Sequence, residues 1–261
     1  MTLDGLLRIE VASFFLEVVR LGGVIVVAPL IWNATPARVK VALVLLIALA
    51  VHGQSGFESN LAFSIERMAF AIGSELMLGL AIGMVVRLVV ASVEVAAEQI
   101  ALAMGLGIAQ VFDPQVQGSQ NVLASLVRNL AMLVAVAMGL HRTVLSATIE
   151  SFRVVPLGAA FNFVGYGPSF LALGGHMLAT GLRIAVPVLA VLFMTQMGLA
   201  FIARAAPAMQ IFSVGFAVTL GVGAFVLMLA TPDFAYQTAA EMSQVEARIA
   251  TLLVNVLEAE P

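Results

Sequence analysis

The sequence predicts an all-α, polytopic membrane protein of about six hydrophobic helices, with an amphipathic helix at its C-terminal end. Three observations lead there. Of 261 residues, 62% are hydrophobic and 10% are charged, whereas soluble domains carry about 25% charged residues. The mean hydropathy is +1.09. The apolar residues gather in runs near the ~20 residues that a helix needs to cross a ~30 Å hydrocarbon layer. A compact soluble fold of this length could not hide so much apolar side chain, because its surface must be largely wetted. In a bilayer, lipid covers those faces instead.

The first run extends from about Val11 to Ile31 and is ended by Trp32 and Asn33, with Pro36 beyond. The opening MTLDGLLRIE carries Asp4 and Glu10 beside Arg8, a poor n-region for a cleavable signal peptide, so the segment is expected to be retained. The second run, about Val39 to Val51, is short for a span and reads as re-entrant or as half of a helical hairpin. The third starts near Arg67 and reaches about Val95, with an extension toward Ile108. The fourth covers about Leu123 to Leu140, the fifth about Met177 to Ala203, and the sixth about Ile211 to Ala230.

Residues 52–60 are a polar, turn-rich connector. Residues 104–121 (MGLGIAQVFDPQVQGSQN) combine three Gly, a Pro and several amides, which disfavours a regular helix. Residues 156–170 mix Pro, Gly and aromatics and read as interfacial or re-entrant. After Pro232 the character changes. From Tyr236 to Glu258, Met242, Val245, Ile249, Leu252, Val256 and Leu257 recur at three- and four-residue steps among charged residues. That pattern predicts an amphipathic helix lying on a partner or on the membrane surface. The expected organisation is a helical membrane domain over residues 1–235 and a tail over 236–261.

Cysteine is absent, which excludes disulfides, thiolate catalysis and cysteine metal sites. The net charge is −3 with no basic run, so no nucleic-acid partner is expected. With six spans, Arg8, Arg67, Arg142, Arg153 and Arg248 fall on one side and Arg38, Lys40, Arg128 and Arg204 on the other. The positive-inside rule selects neither orientation from such a near tie.

No metalloprotease, nucleophile-elbow or Walker motif is present, and His52, His141 and His176 show no metal spacing. No enzymatic activity, cofactor or metal is expected. The ionisable residues inside the apolar runs say more, because a charge at the bilayer centre costs ~2.5–3.5 kcal/mol and normally faces protein or a wet cavity. Glu17 and Arg20 stand three apart in the first run and can pair. The third run holds Glu75, Arg87, Glu94 and Glu98. At about 100° per residue, Gly79, Gly83, Arg87, Glu94 and Glu98 share one face. Gly79 and Gly83 form a GxxxG, which allows close helix approach. The fifth run holds Arg183 and Gln196, and Pro187 there is expected to kink its helix. The mixed signs favour packing over a voltage sensor or proton relay. The Gly-rich start of 104–121 is too apolar for a solvent-washed connector. It fits a plug or re-entrant segment, since irregular backbone at membrane depth must be surrounded by protein or water.

Three stretches carry a family resemblance. They are RLGGVIVVAPLIWNATPARVKVALVLLIAL (Arg20 to Leu49), SELMLGLAIGMVVRLVVASVEVAAEQIALAMGLGIAQVFDP (Ser74 to Pro114) and GLRIAVPVLAVLFMTQMGLAFIARAAPAMQIFSVGF (Gly181 to Phe216). In this order over about residues 11–230, the chain resembles the FliR family of flagellar export-gate proteins, whose injectisome relatives are called SctT. Phe112-Asp113-Pro114 and Gly215-Phe216 lean toward the flagellar branch. Two departures stand out. Pro207 is followed by Ala208, Met209 and Gln210 where the family commonly reads Pro-Gln-Leu-Asn, and Ala217 stands where a Pro often follows Gly-Phe.

The resemblance implies a structural, gating subunit of the type III export gate at the flagellar basal body in the bacterial inner membrane. Its helices would form hairpins in a spiral with FliP-like and FliQ-like subunits around a conduit for unfolded exported proteins. FlhB-like and FlhA-like proteins and membrane lipid would be further neighbours. It also implies that residues 104–121 act as the plug, with Met104, Gly105, Gly107, Phe112, Asp113, Pro114 and Gly118 as gating-loop residues. A stand-alone small-molecule transporter is the alternative. It is disfavoured because no second broken run mirrors Pro187. An intramembrane enzyme lacks a nucleophile–base pair or metal set.

Overall fold

The structure is a computed structural model, and it describes residues 3–29, 35–52, 65–106, 122–158, 163–205 and 211–258. The elements among them are helices: α1 (Leu3–Val27), α2 (Ala37–His52), α3 (Ile65–Ala103), α4 (Val122–Ala137), α5 (Leu140–Val154), α6 (Phe163–Ala205), α7 (Ile211–Ser243) and α8 (Val245–Glu258). Local chemistry sets several ends. Pro29 follows the last turn of α1, where Ala28 N–H still reaches Val24 O at 2.9 Å. Pro36 offers its carbonyl to Val39 N–H at 2.9 Å and opens α2. Gly139, at φ 75, separates α4 from α5. This left-handed conformation is one that glycine adopts at no steric cost. Val155 is extended before Pro156 and closes α5.

Three stretches among the described residues are long and apolar enough to cross a membrane: Met68–Ala103, Leu171–Ala205 and Val214–Val254. Helices α4 and α5 qualify as a fourth only when counted together as one broken span. This is fewer than the six runs of the sequence reading, and length is part of the reason. At ~1.5 Å per residue, the 16 residues of α2 reach only about 24 Å. The 25-residue α1 carries Glu10, Glu17 and Arg20 within its length. Helix α5 has no counterpart among the six apolar runs, since its polar residues interrupt them. The long helices exceed their expected bounds. Helix α6 takes in residues 163–170 of the stretch read as interfacial, while 159–162 lie outside the described residues. Helix α7 continues through Pro232 and past Tyr236, and the turn before α8 comes only at Gln244. Pro187 likewise sits inside α6 without ending it. The expected ends at Trp32 and Asn33, most of connector 52–60, and the turn at Pro207 to Gln210 lie outside the described residues.

The chain forms two compact units. The first comprises Met1–Val89, Met138–Gly174 and Ser243–Pro261. Within it α1 lies against α2, and α5 lies against α8. Helix α5 buries Val144, Ala147 and Phe152, and α8 buries Val245, Ile249, Leu252 and Leu253. The amphipathic tail helix thus finds its partner within its own chain. The second unit comprises Val90–Ala137 and Gly175–Met242. Its core joins Val93, Ala96, Ile100 and Met104 with Ala131, Ile184, Val188, Leu192 and Phe234.

Candidate functional site

The first unit is organised around a buried ion pair. Helices α1 and α3 approach until their backbones touch, through three glycines. A Cβ on Gly79 would overlap the carbonyl oxygen of Arg20. One on Gly83 would stand 3.0 Å from Val24 O, and one on Gly23 would stand 3.0 Å from Leu76 O. This contact sets Arg20, 0% exposed, against Glu75, 2% exposed.

The guanidinium then commits all its donors. Nε and Nη2 bond the two Glu75 oxygens, the second at 3.0 Å. Nη1 donates to Ser151 O at 2.9 Å and Ser151 Oγ at 3.2 Å, and Nη2 also donates to Val155 O at 3.1 Å. Both carbonyls belong to the C-terminal end of α5, where the helix dipole favours a cation, and Ser151 O also accepts the Val155 N–H at 2.9 Å. Glu75 Oε1 also accepts the Gly158 N–H at 2.9 Å, from a glycine at φ 79. The Phe152 ring centroid lies 4.4 Å from the guanidinium carbon, within cation–π range. A buried pair is tolerated when its remaining valences are satisfied. This one ties α1, α3 and α5 together at one point.

The Glu17–Arg20 pairing that sequence spacing allows is not made. Arg20 turns to Glu75. Glu17, 1% exposed, has Oε1 3.2 Å from His52 Nδ1, and the other ring nitrogen of His52 lies 3.1 Å from Glu10 Oε2. His52, expected as a connector residue, ends α2 and bridges two carboxylates of α1.

The second unit holds the start of the 104–121 segment. Helix α3 ends in a Schellman motif. Leu106 N–H bonds Ala101 O at 3.1 Å and Gly105 N–H bonds Leu102 O at 3.0 Å, with Gly105 at φ 82. Gln196 of α6 donates to the remaining Ala103 carbonyl at 3.0 Å. Met104, 2% exposed, fits against Gly223 of α7, where an added Cβ would meet the thioether. The segment therefore leaves from a fixed root. Gly107, Phe112, Asp113, Pro114 and Gly118 lie outside the described residues.

Gly79 and Gly83 are buried against α1 of the same chain. Glu94 Oε1 stands 3.0 Å from Arg128 Nε in the second unit. Arg87, Glu98, Arg183 and Pro187 are exposed. Of the five residues expected on one face of α3, Gly79 and Gly83 are packed, Glu94 is half-buried beside Arg128, and Arg87 and Glu98 are exposed. Also in the second unit, His176 Nε2 lies 3.3 Å from Glu241 Oε2 and 3.2 Å from Thr180 Oγ1. Sequence reasoning missed Ser151, Val155 and Gly158, because a main-chain carbonyl or N–H carries no residue-type signal. Only the Pro156–Gly158 spacing hints at a specialised turn there.

This geometry can hold helices in register, and the saturated guanidinium leaves no donor for a substrate. Comparison with known proteins adds identity of kind. Residues 11–245 match the family described as bacterial export proteins, family 1. The chain is 33% identical over 227 residues to the flagellar biosynthetic protein FliR of Pectobacterium carotovorum subsp. carotovorum, covering 85% of each chain. It is 30% identical over 215 residues to that of Escherichia coli strain K12, covering 80% of each. Against that of Caulobacter vibrioides the identity is 25% over 218 residues, covering 83% of this chain and 87% of the relative.

Proposed function

Because this chain belongs to the bacterial export proteins of family 1, we propose that it is a structural and gating subunit of the protein-conducting export gate of the flagellar type III secretion apparatus. The single observation that carries this reading is the family match over residues 11–245, with relatives named for flagellar biosynthesis over most of their length. The long apolar helices support placement in a membrane, and the flagellar relatives support the bacterial inner membrane at the basal body. In this role the chain packs beside FliP-like and FliQ-like subunits, with FlhB-like and FlhA-like proteins nearby, around a path for unfolded exported chains. The buried Arg20–Glu75 pair holds the first unit rigid. The 104–121 segment, rooted at Met104 and Gly105, closes the path.

Two experiments test this. Purification of the tagged chain in mild detergent, with mass spectrometry of the particle, is expected to recover FliP-like and FliQ-like proteins together with it. A lone chain or a homo-oligomer would reject the assignment. Deletion within residues 105–118 is expected to leave that particle intact and to raise membrane conductance to ions and small solutes. Unchanged conductance in a fully assembled particle would remove the plug role.

A further inference from the structure

Within the first unit, Arg87 is a cation set in an apolar helix. Arg87 lies on α3, about 33 Å from Ile65 and about 24 Å from Ala103 at ~1.5 Å per residue. It stands well inside the stretch Met68–Ala103 that is long and apolar enough to cross a membrane. Its side chain is exposed, and no carboxylate among the described residues pairs with it. It continues a stripe along α3. Phe70 is 82% exposed, and Leu76 and Met84 are each 39% exposed. With Gly73 and Leu80, these residues recur at steps of three and four, so they form one ridge. The adjoining side of the helix, about 40–80° round from Arg87 at 100° per residue, is spent on α1 through Gly79 and Gly83.

We propose that this ridge is a docking surface for a transmembrane helix of another polypeptide that brings an Asp or Glu level with Arg87. Two features select that occupant. Lipid tails can cover Phe70, Leu76 and Met84, but they offer no hydrogen-bond acceptor to a guanidinium. A charge inside so apolar a run is normally paired or faces water. The glycine and the modest side chains at Gly73 and Leu80 leave room for a second helix to lie close. Arginine also takes a carboxylate through two parallel hydrogen bonds, which fixes the rotation and register of the incoming helix. The inference rests on the export-gate reading, since it needs an assembly to supply the acid. It names the chemistry of one contact in that assembly.

The test uses the full tagged chain in cells that lack the native copy. Arg87→Glu and Arg87→Met are expected to lower recovery of the partner subunits by about tenfold or more, as when one member of a desolvated charge pair is removed. Arg87→Lys is expected to restore most of it. The melting temperature of the purified chain alone should be the same for all three, because Arg87 pairs with no carboxylate among the described residues. Export-competent revertants of Arg87→Glu are expected to carry an acidic-to-basic change in a transmembrane helix of another subunit.

Several results overturn the proposal. One is recovery with Arg87→Glu and Arg87→Met equal to that of the unsubstituted chain. Another is a compensating change inside this same chain. A third is recovery that returns on adding anionic phospholipid, which would assign Arg87 to a lipid headgroup. If the unsubstituted chain recovers no partner subunits, the export-gate reading fails. If it recovers them and the Arg87 variants match it, the Arg87 contact alone fails.

Discussion

Gly79→Leu is expected to abolish accumulation of the folded chain. Any side chain at this position projects into the carbonyl oxygen of Arg20, and that neighbour is backbone, which cannot rotate away. Overpacking against side chains that can give costs about 1–3 kcal/mol. Here α1 and α3 must separate along their whole contact, so the cost should exceed that range. The separation also pulls Arg20 away from Glu75 and exposes the Gly23 and Gly83 contacts. A control lies next door. Gly22 meets nothing within 4 Å, so Gly22→Ala should be neutral, or stabilising by about 0.5–1 kcal/mol through helix propensity. Yield of membrane-inserted protein and melting temperature in detergent check both. A Gly79→Leu chain that melts with the unsubstituted one would mean that α1 and α3 are not in backbone contact.

Removing one member of the buried pair should be nearly as damaging. Arg20→Met and Glu75→Leu are each expected to cost about 3–5 kcal/mol, because each strands a buried charge. The double substitution should cost less than the sum, giving a coupling energy of about 1–3 kcal/mol in a double-mutant cycle. It should not regain full stability. Val155 O and the Gly158 N–H would then lack their bonds, at about 1–3 kcal/mol for each buried group left unsatisfied. Arg20→Lys is expected to behave like Arg20→Met. An ammonium has three donors and no planar fork, whereas the site uses five N–H bonds in fixed directions. Additive single effects would show that Arg20 and Glu75 do not act as a unit.

Much of this protein is legible in its sequence. The long apolar runs announced α3, α6 and α7, because ~20-residue hydrophobic runs with few charges have one common use. The Gly79–Gly83 spacing announced a close helix contact. The recurrence of Val245, Ile249 and Leu252 announced an amphipathic helix. Other elements were not legible. Helix α5 mixes His, Arg, Ser, Thr and Glu with apolar residues, so no hydropathy window marks it as a span. Its apolar face is meaningful only beside α8. The extension of α7 past Pro232 was hidden because proline is read as a helix end, although its ring can be accommodated on an exposed side.

Composition and periodicity, by themselves, determined that the chain is helical and belongs in a membrane. Both follow from what water and lipid do to single segments. The sequence also marked Arg20, Glu17 and Glu75 as charges that need partners, since depth in an apolar run makes an unpaired charge costly. Which partners they take was decided only by the tertiary structure. Spacing offered Arg20 the nearby Glu17, while the fold delivered Glu75, the end of α5 and a ring face together. Hydrogen bonds act over about 3 Å, and residues far apart in the chain reach that distance only when helices pack.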